Sequence, residues 1–339
     1  MNDRAVSVLG NYEIEVIRTW KGRGTIMCES DRGLLILKEY NGRKDRIVFQ
    51  DALLGRVKEQ GFEEVESILK TKEGEFIVYD QDRTPYLLKT CFQGRECNLR
   101  DRRECVRAVQ NLARLHKAAC LKKTDMEGLL GESRCRMDWE YEKHNRELRR
   151  VRKYLKGKGQ KNDFEIFLSA HYDYFFEKAL GVEQEASCYL KEDKEESNPF
   201  CFICHGDYQH HNVLVLQGDA EKMAIVNFEK CIQDNPVRDL YLFMRKLLEK
   251  NSWSQELGML LLNAYQEERT LQDRDYAQLY YRFVYPEKFW KIVNFYYNSG
   301  KAWIPGRNME KLEKLLGQEQ DKTRFLENYK STYGSFPFG

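Results

Sequence analysis

The chain has 339 residues, of which 42% are hydrophobic and 32% charged, and its formal net charge at pH 7 is +2. This length allows one large domain or two lobes that share a cleft. The near-neutral charge argues against nucleic-acid binding, which favours a clearly basic domain. No segment reaches the roughly 18 apolar residues of a membrane span. The N-terminus lacks the features of a secretory signal, so we expect synthesis in the cytoplasm.

The first part of the chain predicts mainly strands. Apolar and polar residues alternate in several short segments, and one apolar run ends in Lys38. A longer amphipathic segment interrupts them and predicts a helix. The predicted elements are strands at 12–20, 24–29, 33–38, 75–79 and 86–92, with a helix at 45–60 after the third strand.

Two glycines, Gly22 and Gly24, lie in the turn between the first two predicted strands. A glycine turn lets backbone N–H groups approach phosphate groups. An ordinary hairpin turn has the same composition, so both interpretations stay open. The position of the turn just before the strand that ends in Lys38 favours the phosphate interpretation.

The rest of the chain is mainly helical by pattern. A helix at 139–156 carries a basic face, for which a solvated surface is the favoured interpretation and a site for an anionic partner the alternative. The other predicted helices begin near Leu99 and at 164–180, 239–249, 254–267, 271–284, 287–297 and 309–329.

The ten cysteines are scattered and include one Cys-x-x-Cys pair, Cys201 and Cys204. A zinc site would need a second ligand pair at suitable spacing, and the sequence has none. Without a signal peptide, reduced thiols are expected. The pair falls in a predicted strand, so we expect both side chains to be buried.

The most informative segment is His205-Gly206-Asp207, followed by Asn212. Phosphoryl transfer needs a carboxylate that receives the hydroxyl proton of the acceptor, and oxygen ligands that hold Mg²⁺ on the nucleotide phosphates. Asp207 fits the first role and Asn212 the second. His205 is expected to orient the backbone of the loop through hydrogen bonds.

A short apolar strand follows this loop and should end in a second metal-binding carboxylate, but that position is Asn227. An amide oxygen can coordinate a metal, yet hard cations prefer charged oxygens. Glu229 would lie on the same face if the strand continued, and it would then compensate as a third metal ligand. The alternative is that the site has degenerated and the fold is retained as a scaffold.

The His-Gly-Asp motif with Asn212 resembles that of the aminoglycoside phosphotransferase and choline kinase family. Three C-terminal blocks, at 285–290, 296–299 and 301–305, resemble the spore coat proteins of the CotS family. The resemblance implies an α+β, bilobal protein-kinase-like fold. Its β-rich nucleotide lobe would cover residues 1–92 and its helical lobe residues 93–339, with a helical cap at about 128–199.

The resemblance also implies a nucleotide site. Lys38 would pair with the phosphates of ATP. The helix glutamate that holds this lysine is replaced by Gln50, so either the clamp is weaker or Asp51 beside it substitutes. The interlobe segment that reads the adenine edge through its backbone would be Thr90, Cys91 and Phe92. ATP and Mg²⁺ are the expected cofactors of an active member, with weak or absent binding if the site is degenerate.

Two functions of different classes follow. The favoured one is a pseudokinase of the spore coat with a structural or assembly role in sporulation, whose partners are other coat proteins. The second is an active transferase that moves a phosphoryl group from ATP to a small hydroxyl-bearing ligand. Asn227 and Gln50 favour the first, whereas Lys38, Asp207 and Asn212 favour the second. The expected location is the spore coat after synthesis in the cytoplasm.

Overall fold

The computed structural model describes residues 3–22, 24–126, 136–191, 199–298 and 305–334. The chain divides into two compact units. The first comprises Met1–Ser133, Phe200–Gln233 and Glu267–Arg269; the second comprises Arg134–Pro199, Asp234–Gln266 and Thr270–Gly339. The lobe boundary at residue 92 stays a prediction. Parts of the predicted cap (128–135 and 192–198) and of the C-terminal blocks (299 and 301–304) lie outside the described residues, as does Arg23.

The first unit begins with an antiparallel sheet in the order β1-β2-β3-β6-β4, with β5 paired to β6. Leu35 and Leu37, which belong to the apolar run that predicted β3, are buried in its core. Residues Val8–Asn11 form a 3-10 helix, and the first strand starts later than predicted, at Val16. The bounds are α1 Asp3–Ser7, β1 Val16–Lys21, β2 Ile26–Ser30, β3 Gly33–Glu39, α2 Lys44–Glu59, β4 Ile68–Leu69, β5 Val78–Tyr79 and β6 Pro85–Thr90.

Two small antiparallel sheets and one helix complete this unit, in the orders β11-β10-β7 and β12-β9-β8. The side chain of Asp101 caps the helix by accepting from the amides of Arg103 and Glu104. Cys201 and Cys204 on β9 are both buried, which confirms the prediction. The bounds are β7 Gly94–Glu96, α3 Arg102–Ala118, β8 Cys120–Lys122, β9 Phe200–Cys204, β10 Val213–Leu216, β11 Asp219–Ile225 and β12 Ile232–Gln233.

The second unit is helical. The predicted helix at 309–329 is wrong as a single element, because the helix ends at Gly317, a residue that favours helix termination, and a new helix begins at Glu319. No described helix is both long and apolar enough to cross a membrane. The bounds are α4 Met137–Gly157, α5 Asp163–Lys191, α6 Val237–Lys250, α7 Gln255–Glu268, α8 Asp273–Val284, α9 Glu287–Asn298, α10 Pro305–Gly317 and α11 Glu319–Tyr333.

The basic face of α4 is largely ion-paired. Arg149 lies 3.2 Å from Glu183, and Arg152 lies 2.7 Å from Asp173. Exposed pairs of this kind contribute little to stability and keep the helix surface solvated. This arrangement agrees with the favoured interpretation of the basic face.

Candidate active site

His205 fixes the backbone of the loop between β9 and β10. Its ring is fully buried, and its Nδ1 accepts a hydrogen bond of 3.1 Å from the amide of Asp207. The proton therefore sits on Nε2, which donates to the carbonyl of Val226 at 2.9 Å. These two bonds tie the loop to the segment after β11. The predicted orienting role of His205 is confirmed.

Gly206 is the position in the motif where a side chain cannot fit. Its φ is +77°, and a Cβ atom would lie 2.0 Å from the carbonyl oxygen of Lys230. The loop backbone therefore packs directly against the backbone at Lys230. The glycine of the motif permits this close approach.

Replacing Gly206 by alanine is expected to destabilise the first unit by more than the roughly 1–2 kcal/mol of a left-handed alanine, because the Cβ also meets backbone. Gly218 is a matched control, since its φ is +89° and its Cβ would meet nothing within 4 Å. Chemical denaturation of both alanine variants measures the difference. Equal losses of stability would contradict the packing argument.

Both carboxylate oxygens of Asp207 are hydrogen-bonded. Oδ1 accepts from Gln209 Nε2 at 2.6 Å, and Oδ2 accepts from Lys230 Nζ at 2.9 Å. Burial raises the pKa of Asp207, but the hydrogen bond and positive charge of Lys230 outweigh it, so the pKa lies below its ordinary value. Asp207 is thus an anion at neutral pH, with a lysine ammonium as its counter-ion.

The side-chain amides of Asn212 and Asn227 are hydrogen-bonded to each other. Asn212 Nδ2 donates to the carbonyl of Asp207 at 2.8 Å, which leaves its Oδ1 facing Asn227. Asn227 Nδ2 donates to that oxygen at 2.9 Å. The oxygen of Asn212 predicted to bind a metal therefore accepts an N–H group instead.

Glu229 does not lie on a strand. β11 ends at Ile225, Asn227 has φ 68° and ψ 57°, and Phe228–Lys230 form a 3-10 helix. The same-face argument for Glu229 as a metal ligand is therefore wrong. Its Oε1 instead accepts from Lys38 at 3.0 Å and from Lys89 at 2.9 Å. Burial raises the pKa of Glu229, but the two lysine charges outweigh it and lower the pKa to about 2.

Glu66 and Lys89 form a buried ion pair that the sequence patterns did not single out. Each side chain is only 2% exposed, and Lys89 Nζ lies 3.0 Å from Glu66 Oε2. Glu66 also accepts from the backbone amides of Asn227 and Phe228, at 3.0 and 3.1 Å. This glutamate therefore fixes the backbone on which Asn227 and Glu229 are placed.

Gln50, the position on α2 predicted to hold Lys38, contacts Glu66 instead. Gln50 is buried and donates to Glu66 Oε1 at 3.1 Å. Asp51 lies 3.7 Å from Lys70, so it does not substitute as the partner of Lys38. The structure pairs Lys38 with Glu229, a residue of the segment after β11 rather than of α2.

Several backbone amides in the predicted nucleotide-binding segments already donate hydrogen bonds within the protein. Gly22 N donates to Thr25 O at 2.8 Å, which closes the hairpin, and Gly24 has φ +68°. In the predicted adenine segment, Thr90 N donates to Ser67 O and Cys91 N to Leu34 O, both at 2.9 Å. Roles for Gly22, Gly24, Thr90, Cys91 and Phe92 in nucleotide binding stay predictions.

The residues predicted to hold Mg²⁺ do not fit that ion as they are arranged. Asn212 and Asn227 are neutral and hydrogen-bonded to each other. The carboxylates of Glu229 and Asp207 already have lysine partners. Hard divalent cations are held by charged oxygens, and the negative charge of each of these carboxylates is already balanced by lysine.

Solved structures with related folds are phosphotransferases. An aminoglycoside phosphotransferase from Alicyclobacillus acidocaldarius has a TM-score of 0.78 and 18% identity, over 98% of this chain and 96% of that chain. A spectinomycin phosphotransferase solved with ADP and spectinomycin has a TM-score of 0.65 and 13% identity, over 96% of this chain and 97% of that chain. These likenesses confirm the predicted α+β, kinase-like fold class.

Sequence comparison finds similarity to spore coat proteins. Spore coat protein S of Bacillus subtilis (strain 168) is 22% identical over 323 residues, which cover 92% of this chain and 88% of that relative. A family model described as "Spore coat putative kinase YutH" matches residues 6–329. The predicted relationship is thus confirmed, and the chain belongs to this family of kinase-like spore coat proteins.

Proposed function

We propose that this protein is a pseudokinase of the spore coat, with a structural or assembly role and little or no phosphoryl transfer. The observation that carries the proposal is the hydrogen bond between Asn212 and Asn227. This hydrogen bond lies at the position where an active member would hold a metal ion between an amide oxygen and a carboxylate. The neighbouring carboxylates support the same conclusion, because their counter-ions are lysines.

A second candidate is an ATP-dependent phosphotransferase that acts on a small hydroxyl-bearing acceptor. Lys38, Asp207 and Asn212 favour it, since the residue types that bind phosphate, receive the proton and contact the metal are all present. Relatives of the same fold are phosphotransferases, and one was solved with ADP and its acceptor. The helical cap over the acceptor that the family resemblance implies for about 128–199 stays a prediction.

The location and partners follow from the family. Its description and the name of the Bacillus subtilis relative both refer to the spore coat. We propose that this chain is made in the cytoplasm and then joins the coat, where its partners are other coat proteins.

A turnover assay separates the two candidates. We expect the purified chain, given ATP, Mg²⁺ and a panel of hydroxyl acceptors, to transfer no more phosphate than its Asp207→Asn variant. Asp207 is the residue predicted to receive the acceptor proton, so its replacement should lower any true phosphoryl-transfer activity by orders of magnitude. Robust turnover that disappears in Asp207→Asn would establish the enzyme and reject the pseudokinase.

An experiment with spores tests the structural role. Spores that carry Asp207→Asn should have the same coat protein composition as the parent, whereas spores that lack the protein should show an altered composition. Extraction and gel analysis of purified coats measures both. A coat altered equally by Asp207→Asn and by deletion, with normal amounts of the variant protein, would contradict a non-catalytic role.

A further inference from the structure

We propose that this site binds the phosphate groups of a polyphosphate anion without a divalent cation, with the ammonium of Lys230 in place of the metal. The proposal deepens the proposed function and rests on it, because it concerns the site of a chain that does not use Mg²⁺. The ligand class is a nucleoside triphosphate or an inorganic polyphosphate, which share the chemistry that Lys230 would recognise.

The position of Lys230 supports this role. Its backbone carbonyl lies against Gly206, and its Nζ is 2.9 Å from Asp207 Oδ2. The side chain is nevertheless 69% exposed. The lysine is thus anchored beside the catalytic loop through its backbone, while its ammonium has donors to offer a ligand. An ammonium has three donors, and Asp207 accepts one of them.

Lys38 supplies a second cation close by. Its side chain is 38% exposed and contacts Glu229, the residue directly before Lys230. Lysine ammonium groups bind phosphate as point charges, in the way that the lysine of a phosphate-binding loop does. Lys38 and Lys230 are thus attached to the same short segment, Lys38 through the carboxylate of Glu229 and Lys230 through its own backbone, and both side chains are exposed enough to bind phosphate.

The charge balance of the cluster does not oppose an anion. Three ammonium groups face three carboxylates in the contacts of the catalytic loop and the segment at 227–231, so these side chains together carry no net negative charge. A site that holds Mg²⁺ through carboxylates would carry an excess of negative charge in the absence of the metal. The cationic members are Lys38, Lys89 and Lys230, and the acidic ones are Glu66, Asp207 and Glu229.

This balance predicts an unusual response to Mg²⁺. The ion removes negative charge from the ligand, and it competes with the lysines for the same phosphate oxygens. Binding should therefore be as tight or tighter with EDTA than with excess Mg²⁺. A metal-dependent kinase site would show the opposite order.

Calorimetry with ATP and with inorganic triphosphate, each in EDTA and in Mg²⁺, tests the proposal. We expect binding in EDTA that Lys230→Gln weakens roughly tenfold to hundredfold, as for the loss of a charge-assisted hydrogen bond. Lys230→Arg should retain it. Lys222→Gln is the matched control, because Lys222 is an exposed lysine in the same unit whose carboxylate partner is Glu64.

The two ligands distinguish the source of the phosphate. Binding of ATP alone identifies a nucleotide, and equal binding of both identifies a polyphosphate; each result supports the proposal. Failure of the folded native chain to bind either ligand in EDTA would overturn it, as would binding that requires Mg²⁺ or is unchanged in Lys230→Gln. These failures differ from failure of the proposed function, which is Asp207-dependent turnover.

Discussion

Replacing Lys89 by methionine is expected to lower the free energy of unfolding by about 3–5 kcal/mol, the cost of removing one partner from a buried ion pair. Lys89 is 2% exposed and contacts both Glu66 and Glu229. Methionine preserves much of the volume but leaves the buried carboxylate of Glu66 without its cation. Denaturant unfolding followed by circular dichroism measures the loss.

Lys38→Met is the matched control for this prediction. Lys38 contacts the same carboxylate, Glu229, but its side chain is 38% exposed. Its loss should cost roughly 1 kcal/mol or less, as for solvent-exposed pairs. If the two methionine variants were equally stable, the buried cluster would not be the main support of the segment at 227–230. A Lys89→Met/Glu66→Gln double variant should recover part of the loss, because it removes the unpaired charge.

The pH dependence of stability gives an independent check on the cluster. Burial alone lowers the pKa of Lys89, but Glu66 and Glu229 outweigh it and raise the pKa, so this stabilisation is lost only as pH rises beyond the ordinary range of lysine. The pKa of Glu229 is lowered to about 2, so its stabilisation is lost as pH falls below the ordinary range of glutamate. Between roughly pH 5 and pH 10 both contributions are complete. The cluster should therefore give the native chain its full support throughout that window, and denaturant unfolding of the native chain at a series of pH values measures where this support is lost.

The sequence predicted the features that depend on local pattern. The hydrogen-bonding role of His205 and the burial of Cys201 and Cys204 were predicted from motif or alternation. The end of β11 was not predicted, because an apolar strand sequence does not indicate where the backbone leaves the extended conformation. Asn227 adopts a left-handed conformation that asparagine tolerates better than most residues, which is the one local hint.

The charge cluster escaped prediction for a different reason. The sequence analysis did not single out Glu66 or Lys89, and charged side chains are rarely fully buried. Each is buried only because its partner comes from a distant part of the chain, and Lys89 and Glu229 are 140 residues apart. The available signal was Lys89 itself, a lysine within the apolar segment that forms β6. Lys230 was missed because its contact with Asp207 depends on the 3-10 helix after Asn227.

Replacing Asn227 by aspartate is expected to make the protein respond to Mg²⁺. The backbone should accept the change, since aspartate tolerates the left-handed conformation as asparagine does. The new side chain should destabilise the metal-free protein, because its carboxylate would face Asn212 Oδ1, the oxygen to which Asn227 Nδ2 now donates. Two oxygens at hydrogen-bond distance repel unless a cation lies between them.

Without a metal, Asn227→Asp should therefore melt at a lower temperature than the native chain, and Mg²⁺ should restore its stability by binding the folded state. Mg²⁺–ATP should bind the variant at least about tenfold more tightly than the native chain, which corresponds to roughly 1.4 kcal/mol. In EDTA the order should reverse, because the added carboxylate gives the cluster an excess of negative charge. Thermal melting and calorimetry with and without Mg²⁺ measure these effects.

Two controls make this result specific to the amide at position 227. Asn227→Ala removes the hydrogen bond without adding a ligand, so it should lose stability and gain no response to Mg²⁺. Glu229→Gln in the native chain should leave Mg²⁺ binding unchanged, because Glu229 is already paired with Lys38 and Lys89. If Glu229→Gln abolished an existing Mg²⁺ response, Glu229 would be a working metal ligand. If Asn227→Asp gained no response, the missing carboxylate would not be what silences the site, and the lysine partners of Asp207 and Glu229 would remain as the physical cause.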